Sequence, residues 1–291
     1  MSTFSQTAML VSLNVRTYGA RKEDKKISNE VAAQHNTTAD AGKYSKVLVP
    51  KAHLDPISKA GGALRQYHYE NTLPWLDEGI RILPAANYET YRAHMTGLQD
   101  DFDSAVRTFC ANWQDIIADA RTRLNGMFNQ SDYPVDIRGR FGCGLRFMPI
   151  PDSNDFRVAI SDTERATLAD QIAETLGEAQ QAAMRDLWER VAEAVKAMAS
   201  RLAAYKTVIV DGKAKVENPF RDSLVENLQD LCDLIPRLNF AADPALENIR
   251  QKIAAELLAN DASTLRDRDT VREDVAAKAA AIAESVAEFM V

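Results

Sequence analysis

Two long stretches of the chain, residues 88–128 and 162–205, carry apolar residues at helical spacing and constrain the fold more than any other feature. In the second stretch the apolar positions recur about every 3.7 residues, which is the period of one helix face. In the first stretch they recur about every 3.5 residues, which is close to the seam of a coiled coil. Each stretch is therefore predicted to form a long helix with one apolar stripe.

Residues at the ends of these stretches support the same prediction. Ser161 lies three residues before Glu164, the pattern of a capping box in which each side chain bonds a backbone N–H of the first turn. Asn87 is suited to cap the first stretch. Gly97 weakens a helix by about 1 kcal/mol relative to alanine. It is therefore the position at which the sequence allows a kink or break in the first helix.

Two stripes of matched length can bury each other, and we expect an antiparallel helix pair that is extended rather than globular. The alternative is that both helices pack into one compact bundle with the C-terminal helices. The predicted fold class is mainly α: a long, coiled-coil-like antiparallel helical hairpin, with a small β element at its tip and N-terminus and a C-terminal helical bundle. The predicted segments are an N-terminal α/β part with a basic stretch (1–86), the helical hairpin with an inserted β-hairpin loop at 129–161 (87–206), and a C-terminal helical part (207–291).

Shorter elements are predicted from alternating polarity, turn residues and helix caps. Strands are expected at 9–17, 144–149, 155–160, 207–210 and 213–216, with Asp211-Gly212 as the turn between the last two. Helices are expected at 28–35 and 54–70, from Asn218-Pro219 to about residue 234, from Asp243-Pro244 onward, and at 270–289. Residues 44–49 fit either a strand or a helix.

The composition narrows the class of protein. With 46% apolar residues the chain can bury a sizeable core, and its net charge of −7 argues against a general nucleic-acid binder while leaving room for a local basic patch. The three scattered cysteines are typical of a reducing compartment. A secretory signal pattern and a run of about 18 apolar residues are both absent, so we expect a cytosolic protein and no membrane.

Basic residues are concentrated near the N-terminus, where residues 1–60 hold nine Lys and Arg against five Asp and Glu. They form either a solvated face or a patch that contacts nucleic acid or an acidic partner. The candidate contact residues in this part of the chain are Arg16, Arg21, Lys22, Lys25 and Lys26.

A second candidate lies in residues 65–75, which concentrate aromatic residues beside Arg65. One interpretation is burial around Trp75 with the polar groups satisfied locally. Another is a binding surface in which Tyr67, Tyr69 and Trp75 stack on bases or anchor a partner. A catalytic pair of His68 and Glu70 is the third, although residues two apart on a helix do not face each other.

The loop at 129–161 contains Arg138 and Arg140 in a glycine-rich context, for which a phosphate-binding loop is one interpretation. Its glycine spacing is not the dinucleotide fingerprint, and Walker A, His-Glu-x-x-His, Cys-x-x-Cys and Gly-x-Ser-x-Gly motifs are absent from the sequence. The four histidines are dispersed. We therefore predict no catalytic residues, no metal ligands and no cofactor.

Three parts of the sequence resemble an uncharacterised protein family of tailed phages and proteobacterial prophages, a domain of unknown function. They are residues 10–16, residues 69–75, and the pair of segments 132–134 and 155–158. The resemblance covers most of the chain and implies a phage or prophage origin, and with it a location in the cytoplasm of a bacterial host. Members are often encoded near a MoxR/CobS-like AAA+ ATPase and a CobT-like von Willebrand protein, which implies an AAA+ ATPase as partner and supplies no catalytic residues.

These observations lead to competing functional hypotheses. The first is a non-enzymatic phage assembly or adaptor protein that forms a homo-oligomer and partners an AAA+ ATPase, with the helix pair as an arm. The alternative is a nucleic-acid-binding protein of phage recombination or replication, or a phage protein that counters a host defence. An enzymatic function rests only on the polar and aromatic residues at 65–77.

Overall fold

A computed structural model describes residues 3–38, 40–76, 79–151, 161–210 and 213–290. Within these ranges the helices are α1 (Thr3–Thr7), α2 (Lys25–Gln34), α3 (Lys51–Glu70), α4 (Tyr88–Ala111), α5 (Trp113–Leu124), α6 (Asp162–Ala204), α7 (Ser223–Leu238), α8 (Pro244–Glu256), α9 (Ala262–Asp267) and α10 (Asp269–Ala287). The strands are β1 (Ala8–Arg16), β2 (Arg21–Glu23), β3 (Ser45–Val47), β4 (Leu73–Pro74), β5 (Ile80–Pro84), β6 (Gly142–Met148), β7 (Lys206–Val210) and β8 (Lys213–Glu217).

The described strands form one four-stranded sheet, in the order β4-β5-β1-β6, and two smaller sheets. In the larger sheet β1 runs antiparallel to β5, from Ala8 opposite Pro84 to Ser12 opposite Ile80. The smaller sheets are the antiparallel pairs β2–β3 and β7–β8. The β structure is therefore larger than the small tip element expected from the sequence.

The chain folds into two compact units that are each assembled from separate segments. Unit 1 comprises residues 1–12, 70–90 and 147–291, and unit 2 comprises residues 13–69 and 91–146. The division expected at residues 86 and 206 follows chain order, whereas these units do not.

Helix α6 organises the core of unit 1. Its start is the predicted capping box: the Ser161 hydroxyl accepts from the Glu164 backbone N–H at 3.3 Å, and the Glu164 carboxylate accepts from the Ser161 backbone N–H at 3.1 Å. From Leu176 to Leu202 its apolar stripe is buried and packs mainly against α10 and α7. Small residues such as Ala279 let α10 lie close to α6.

The core of unit 2 is formed by α3, α4 and α5 and is rich in aromatic rings. Trp113 lies with its ring centroid 5.6 Å from Phe109 and 6.0 Å from Tyr133, and Phe141 lies 5.5 Å from Phe109. The indole N–H of Trp113 donates to the carbonyl of Pro134 at 3.2 Å. Burial of these large rings stabilises the unit, and the indole keeps a hydrogen-bond partner.

The predicted helical hairpin is wrong. The first stretch forms two helices rather than one, and they separate at Asn112, not at Gly97, which lies inside α4. The Asn112 side chain donates to the carbonyl of Thr108 at 2.9 Å, a local bond by which Asn competes with continued helix. The stripe of α4 and α5 is buried in unit 2, whereas that of α6 is buried in unit 1. An apolar stripe shows that a helix face is covered and does not identify the covering element.

Several shorter elements were predicted correctly. They are the strand at the N-terminus, the helix ending at Glu70, the strands β7 and β8, and the helix that begins at Pro244 with Asp243 accepting from the Ala245 N–H at 2.9 Å. The start predicted at Asn218-Pro219 is wrong, because Asn218 has φ 52° and α7 begins at Ser223. The expected strand at 155–160 and the Asp211-Gly212 turn lie outside the described residues.

The polar residues that follow α3 are held by arginines within unit 1. The Arg190 guanidinium donates to the carbonyls of Glu70 at 2.7 Å and Thr72 at 2.8 Å. Arg81 donates to the Thr72 hydroxyl at 3.0 Å, and the Asn87 amide donates to the Asn71 carbonyl at 2.9 Å. The polar groups of this segment are therefore satisfied partly by neighbouring residues and partly by Arg190, which is distant in sequence.

Replacing Leu187 by alanine tests the role of the α6 stripe. Leu187 is fully buried, so Leu187→Ala should lower the free energy of unfolding by about 3 kcal/mol through lost burial and a residual cavity. Urea denaturation followed by circular dichroism measures this change. Leu168→Ala, at a half-buried position on the same helix, is the matched control and should cost clearly less. Equal costs for the two variants would contradict the assignment of the stripe to the core.

Candidate nucleic-acid interface

The formal charges divide unevenly between the two compact units. Unit 2 carries 17 Lys and Arg against 12 Asp and Glu, a formal charge of +5, whereas unit 1 carries 18 against 30, a formal charge of −12. All four histidines also lie in unit 2. A chain that is acidic as a whole thus contains one compact unit whose formal charge is positive.

Five of the eight predicted cations lie in one part of unit 2, the basic segment, defined here as residues 16–26. It comprises the end of β1, all of β2 and the first residues of α2. The five candidate cations are exposed. Lys26 faces Glu30 at 3.9 Å, whereas the other four form no ion pair with any described residue. They are Arg16, Arg21, Lys22 and Lys25.

The two acidic residues of the basic segment are each paired with a lysine. Glu23 lies 3.7 Å from the ammonium of Lys43. Asp24 lies 3.3 Å from the ammonium of Lys46, and its side chain also accepts from the Ile27 backbone N–H as the N-cap of α2. Lys43 compensates Glu23, whereas Asp24 shares the single charge of Lys46 with a second carboxylate. The segment itself holds five Lys and Arg against two Asp and Glu, a formal charge of +3.

Lys46 anchors the basic segment to the rest of unit 2. Its side chain is only 7% exposed, and its ammonium lies 2.8 Å from the Asp132 carboxylate in addition to that of Asp24. The third ammonium proton is directed to the carbonyl of Met127 at 3.0 Å. With its three donors used, this buried cation joins β3, the cap of α2 and the loop after α5.

The pKa values of this cluster follow from the same contacts. Burial alone would lower the pKa of Lys46, but hydrogen bonds to Asp132 and Asp24 outweigh it and the pKa is raised. The pKa of Asp24 is lowered, chiefly by the Ile27 N–H and further by Lys46. Both shifts favour the charged forms that hold the cluster together.

Two of the predicted cations lie at the end of β1, namely Arg16 of the basic segment and Arg65 of α3. Arg65 on α3 is exposed and donates to the carbonyls of Val15 at 3.1 Å and Gly61 at 3.3 Å. Arg16 lies over Gly142 of β6, where an added Cβ atom would be 3.4 Å from the Arg16 Nη2. Glycine at position 142 thus leaves room for the guanidinium on the sheet.

The two arginines of the 129–161 loop differ in their surroundings. Arg138 donates to the Asp103 carboxylate at 3.1 Å, which compensates its charge. Arg140 is exposed and lies close enough to Tyr18 to oppose the rise in the pKa of that phenol, which burial causes. Arg140 is therefore a stronger candidate for a phosphate contact than Arg138.

The predicted aromatic residues are divided between the two compact units. Tyr67 stacks on His94 at 4.0 Å and is half-buried, whereas Tyr69 is 51% exposed. Trp75 belongs to unit 1, where it packs on the core beside Phe4 with ring centroids 6.5 Å apart. Of the three, Tyr69 is the ring whose exposure suits stacking on a base.

His68, Cys143 and Cys232 lie in buried or half-buried positions. His68 is buried, with its ring Nδ1 2.6 Å from the Tyr91 hydroxyl. Burial raises the pKa of the Cys143 thiol, whose sulfur lies 3.7 Å from the Gln99 amide, and raises the pKa of Cys232 to about 11. These thiols stay protonated near neutral pH, where a nucleophile needs the thiolate.

Among the described residues, no group of three or more His, Cys, Asp or Glu is placed to hold a metal ion. None of the described helices combines the length and apolarity needed to cross a bilayer. Comparison of the chain with protein-family models, with curated proteins and with solved structures finds no match in any of the three. The function of this surface therefore has to be inferred from its geometry and charge.

Two features of the interface were missed at the sequence level. Lys46 lies between Ser45 and Val47 on a three-residue strand, and nothing in that pattern marks its side chain as the buried one. Arg146, exposed on β6, was not among the candidates. The alternation along β6 is the signal that could have placed it on the outer face.

Lys46→Met tests the anchoring role of the buried ammonium. Removing it leaves Asp24 and Asp132 without their shared cation, so the free energy of unfolding should fall by about 3 kcal/mol. Chemical denaturation measures the loss. Lys22→Met is a matched control, because Lys22 lies directly opposite Lys46 in the β2–β3 pair but is exposed. If both variants are equally stable, Lys46 is not the anchor.

Asp24→Asn tests the pKa shift separately from the helix cap, because asparagine caps helices as well as aspartate does. The folded-state pKa of Asp24 lies below its ordinary value of 3.8, so the carboxylate stabilises the fold above that pH. Its contribution is lost as the pH falls through the lower folded-state pKa. The wild-type protein should therefore exceed the variant in unfolding free energy at pH 6, and the difference should shrink toward pH 2. A difference that stays constant with pH would contradict the shift.

Proposed function

We propose that unit 2 binds nucleic acid through contacts to the phosphate backbone, with the basic segment as the principal contact surface. The observation that carries the proposal is the charge division: an acidic chain concentrates a formal charge of +5 in one compact unit. Exposed cations without carboxylate partners are suited to phosphates, since binding then replaces only condensed counterions and water.

The proposed contacts extend beyond the basic segment. Arg65, Arg140 and Arg146 are exposed cations of the same unit, and Tyr69 offers an aromatic face. Arginine and lysine contacts to phosphates set position and affinity without selecting a sequence. The proposed activity is therefore nonspecific binding, of the kind that recombination and replication require.

The assembly role expected from the sequence depended on a helical arm, and that arm is corrected above. A phage origin, an AAA+ ATPase as partner and a location in the host cytoplasm stay predictions. Nucleic-acid binding rests on the charge of unit 2 and is independent of all three.

Neutralising the unpaired cations of the basic segment tests the proposal. The variant replaces Arg16, Arg21, Lys22 and Lys25 by glutamine. Anisotropy of labelled single- and double-stranded DNA, titrated at several salt concentrations, should show weaker binding of both. The slope of log affinity against log salt should become shallower by about 0.9 for each lost duplex phosphate contact.

A second variant controls for net charge. It replaces four exposed cations of unit 1 by glutamine, namely Arg185, Lys196, Arg201 and Arg221. The net charge changes equally in both variants, so a difference between them reports the position of the cations. Only the basic-segment variant should bind DNA more weakly and show a shallower slope of log affinity against log salt. Failure of the wild-type chain to bind either DNA at low salt, or equal losses in the two variants, would exclude the proposal.

A further inference from the structure

The hairpin of β7 and β8 exposes apolar side chains on one face. Its register runs from Lys206 opposite Glu217 to Val210 opposite Lys213, and Thr207 lies opposite Val216. Ile209 is 79% exposed and Val216 is 40% exposed, and both lie on the same face as Thr207 because side chains alternate along a strand. A two-stranded hairpin is marginally stable unless further strands or a packing partner complete it.

Strand β8 also presents a free edge. Among the described residues only β7 pairs with it, and its residues Lys215, Val216 and Glu217 are exposed. The backbone N–H and C=O groups along such an edge are a template for another strand. Lysine on an edge strand ordinarily discourages edge-to-edge pairing with another chain. The charges of the incoming strand therefore decide whether it can pair with β8.

A second copy of β8 meets this charge requirement in one register. Two identical antiparallel strands related by a two-fold axis place one residue opposite itself, and its neighbours on either side opposite each other. With the axis at Val216, Lys215 of each copy lies opposite Glu217 of the other. An axis at residue 214 would place Lys213 opposite Lys215, and an axis at Lys215 or at Glu217 would place that residue opposite its own like charge.

We propose that β8 pairs edge to edge with β8 of a second copy of this chain, around a two-fold axis through Val216. The two hairpins then form one four-stranded antiparallel sheet. Two Lys215–Glu217 cross-strand pairs flank a central Val216–Val216 pair, and pairs of these kinds stabilise antiparallel sheets. The strand partner is thus identified by self-complementary charge.

The contact involves one short strand from each copy, so it belongs to the class of small, weak interfaces. Analytical ultracentrifugation of the full chain, from about 1 to 200 µM, should show a reversible monomer–dimer equilibrium. Lys215→Glu and Glu217→Lys should each weaken dimerisation about tenfold or more, because each replaces two attractive cross-strand pairs by two repulsive ones.

Mixing the two single variants supplies the discriminating measurement. In a mixed dimer every 215–217 pair is again one acid opposite one base, so an equimolar mixture should dimerise as the wild-type chain does. The double variant K215E/E217K should also dimerise, although it places two lysines opposite each other at positions 206 and 217 of its own hairpin. Recovery in the double variant therefore reports the contact between copies and not the stability of the hairpin.

Lys196→Glu, an exposed charge reversal on α6, is the control and should leave the equilibrium unchanged. A wild-type chain that stays monomeric throughout this range would overturn the proposal. So would single variants that dimerise normally, or an equimolar mixture that remains monomeric.

Discussion

The burial of the α6 stripe is the constraint on which unit 1 depends. A helix of 43 residues cannot leave an apolar face in water over most of its length, and α10 and α7 cover it from Leu176 to Leu202. Arg190 extends the influence of this helix, because its guanidinium holds the carbonyls of Glu70 and Thr72 in place. The segment around Thr72 is therefore positioned by α6 although more than a hundred residues separate them.

Elements that rest on local signals could be predicted from the sequence, whereas their partners could not. The capping box at Ser161 and the Asp243-Pro244 helix start each involve residues within one helical turn, and both are confirmed. Predicting the helical hairpin correctly also required knowing which apolar face covers the α6 stripe. Tyr91 and Leu187 have the same spacing signature, yet they are buried in different units. Periodicity carries no information on that choice.

The sequence predicts which charged residues the candidate interface contains, but it does not predict which of them form ion pairs. The run from Arg21 to Lys26 is visible as a charged stretch, and exposure of its lysines follows from their hydration. The pairing of Glu23 with Lys43 and of Asp24 with Lys46 depends on how β2 meets β3. Within the described ranges, Lys26 is the one cation of the segment that forms an ion pair, with Glu30. The three aromatic candidates are likewise divided by the tertiary structure, since the boundary between the compact units falls between Tyr69 and Trp75.

Lys22 and Lys46 illustrate how tertiary structure assigns different functions to equal side chains. They lie opposite each other across β2 and β3, yet Lys22 is exposed and Lys46 is buried between two carboxylates. A buried ammonium with three acceptors contributes to the fold and is inaccessible to a phosphate, whereas an exposed ammonium with no carboxylate partner keeps its long-range attraction for one. The same pair of strands thus supplies both the anchor of the basic segment and part of its surface. Net charge and sequence position alone cannot separate these roles, because the difference arises from the acceptors that the fold places around each nitrogen.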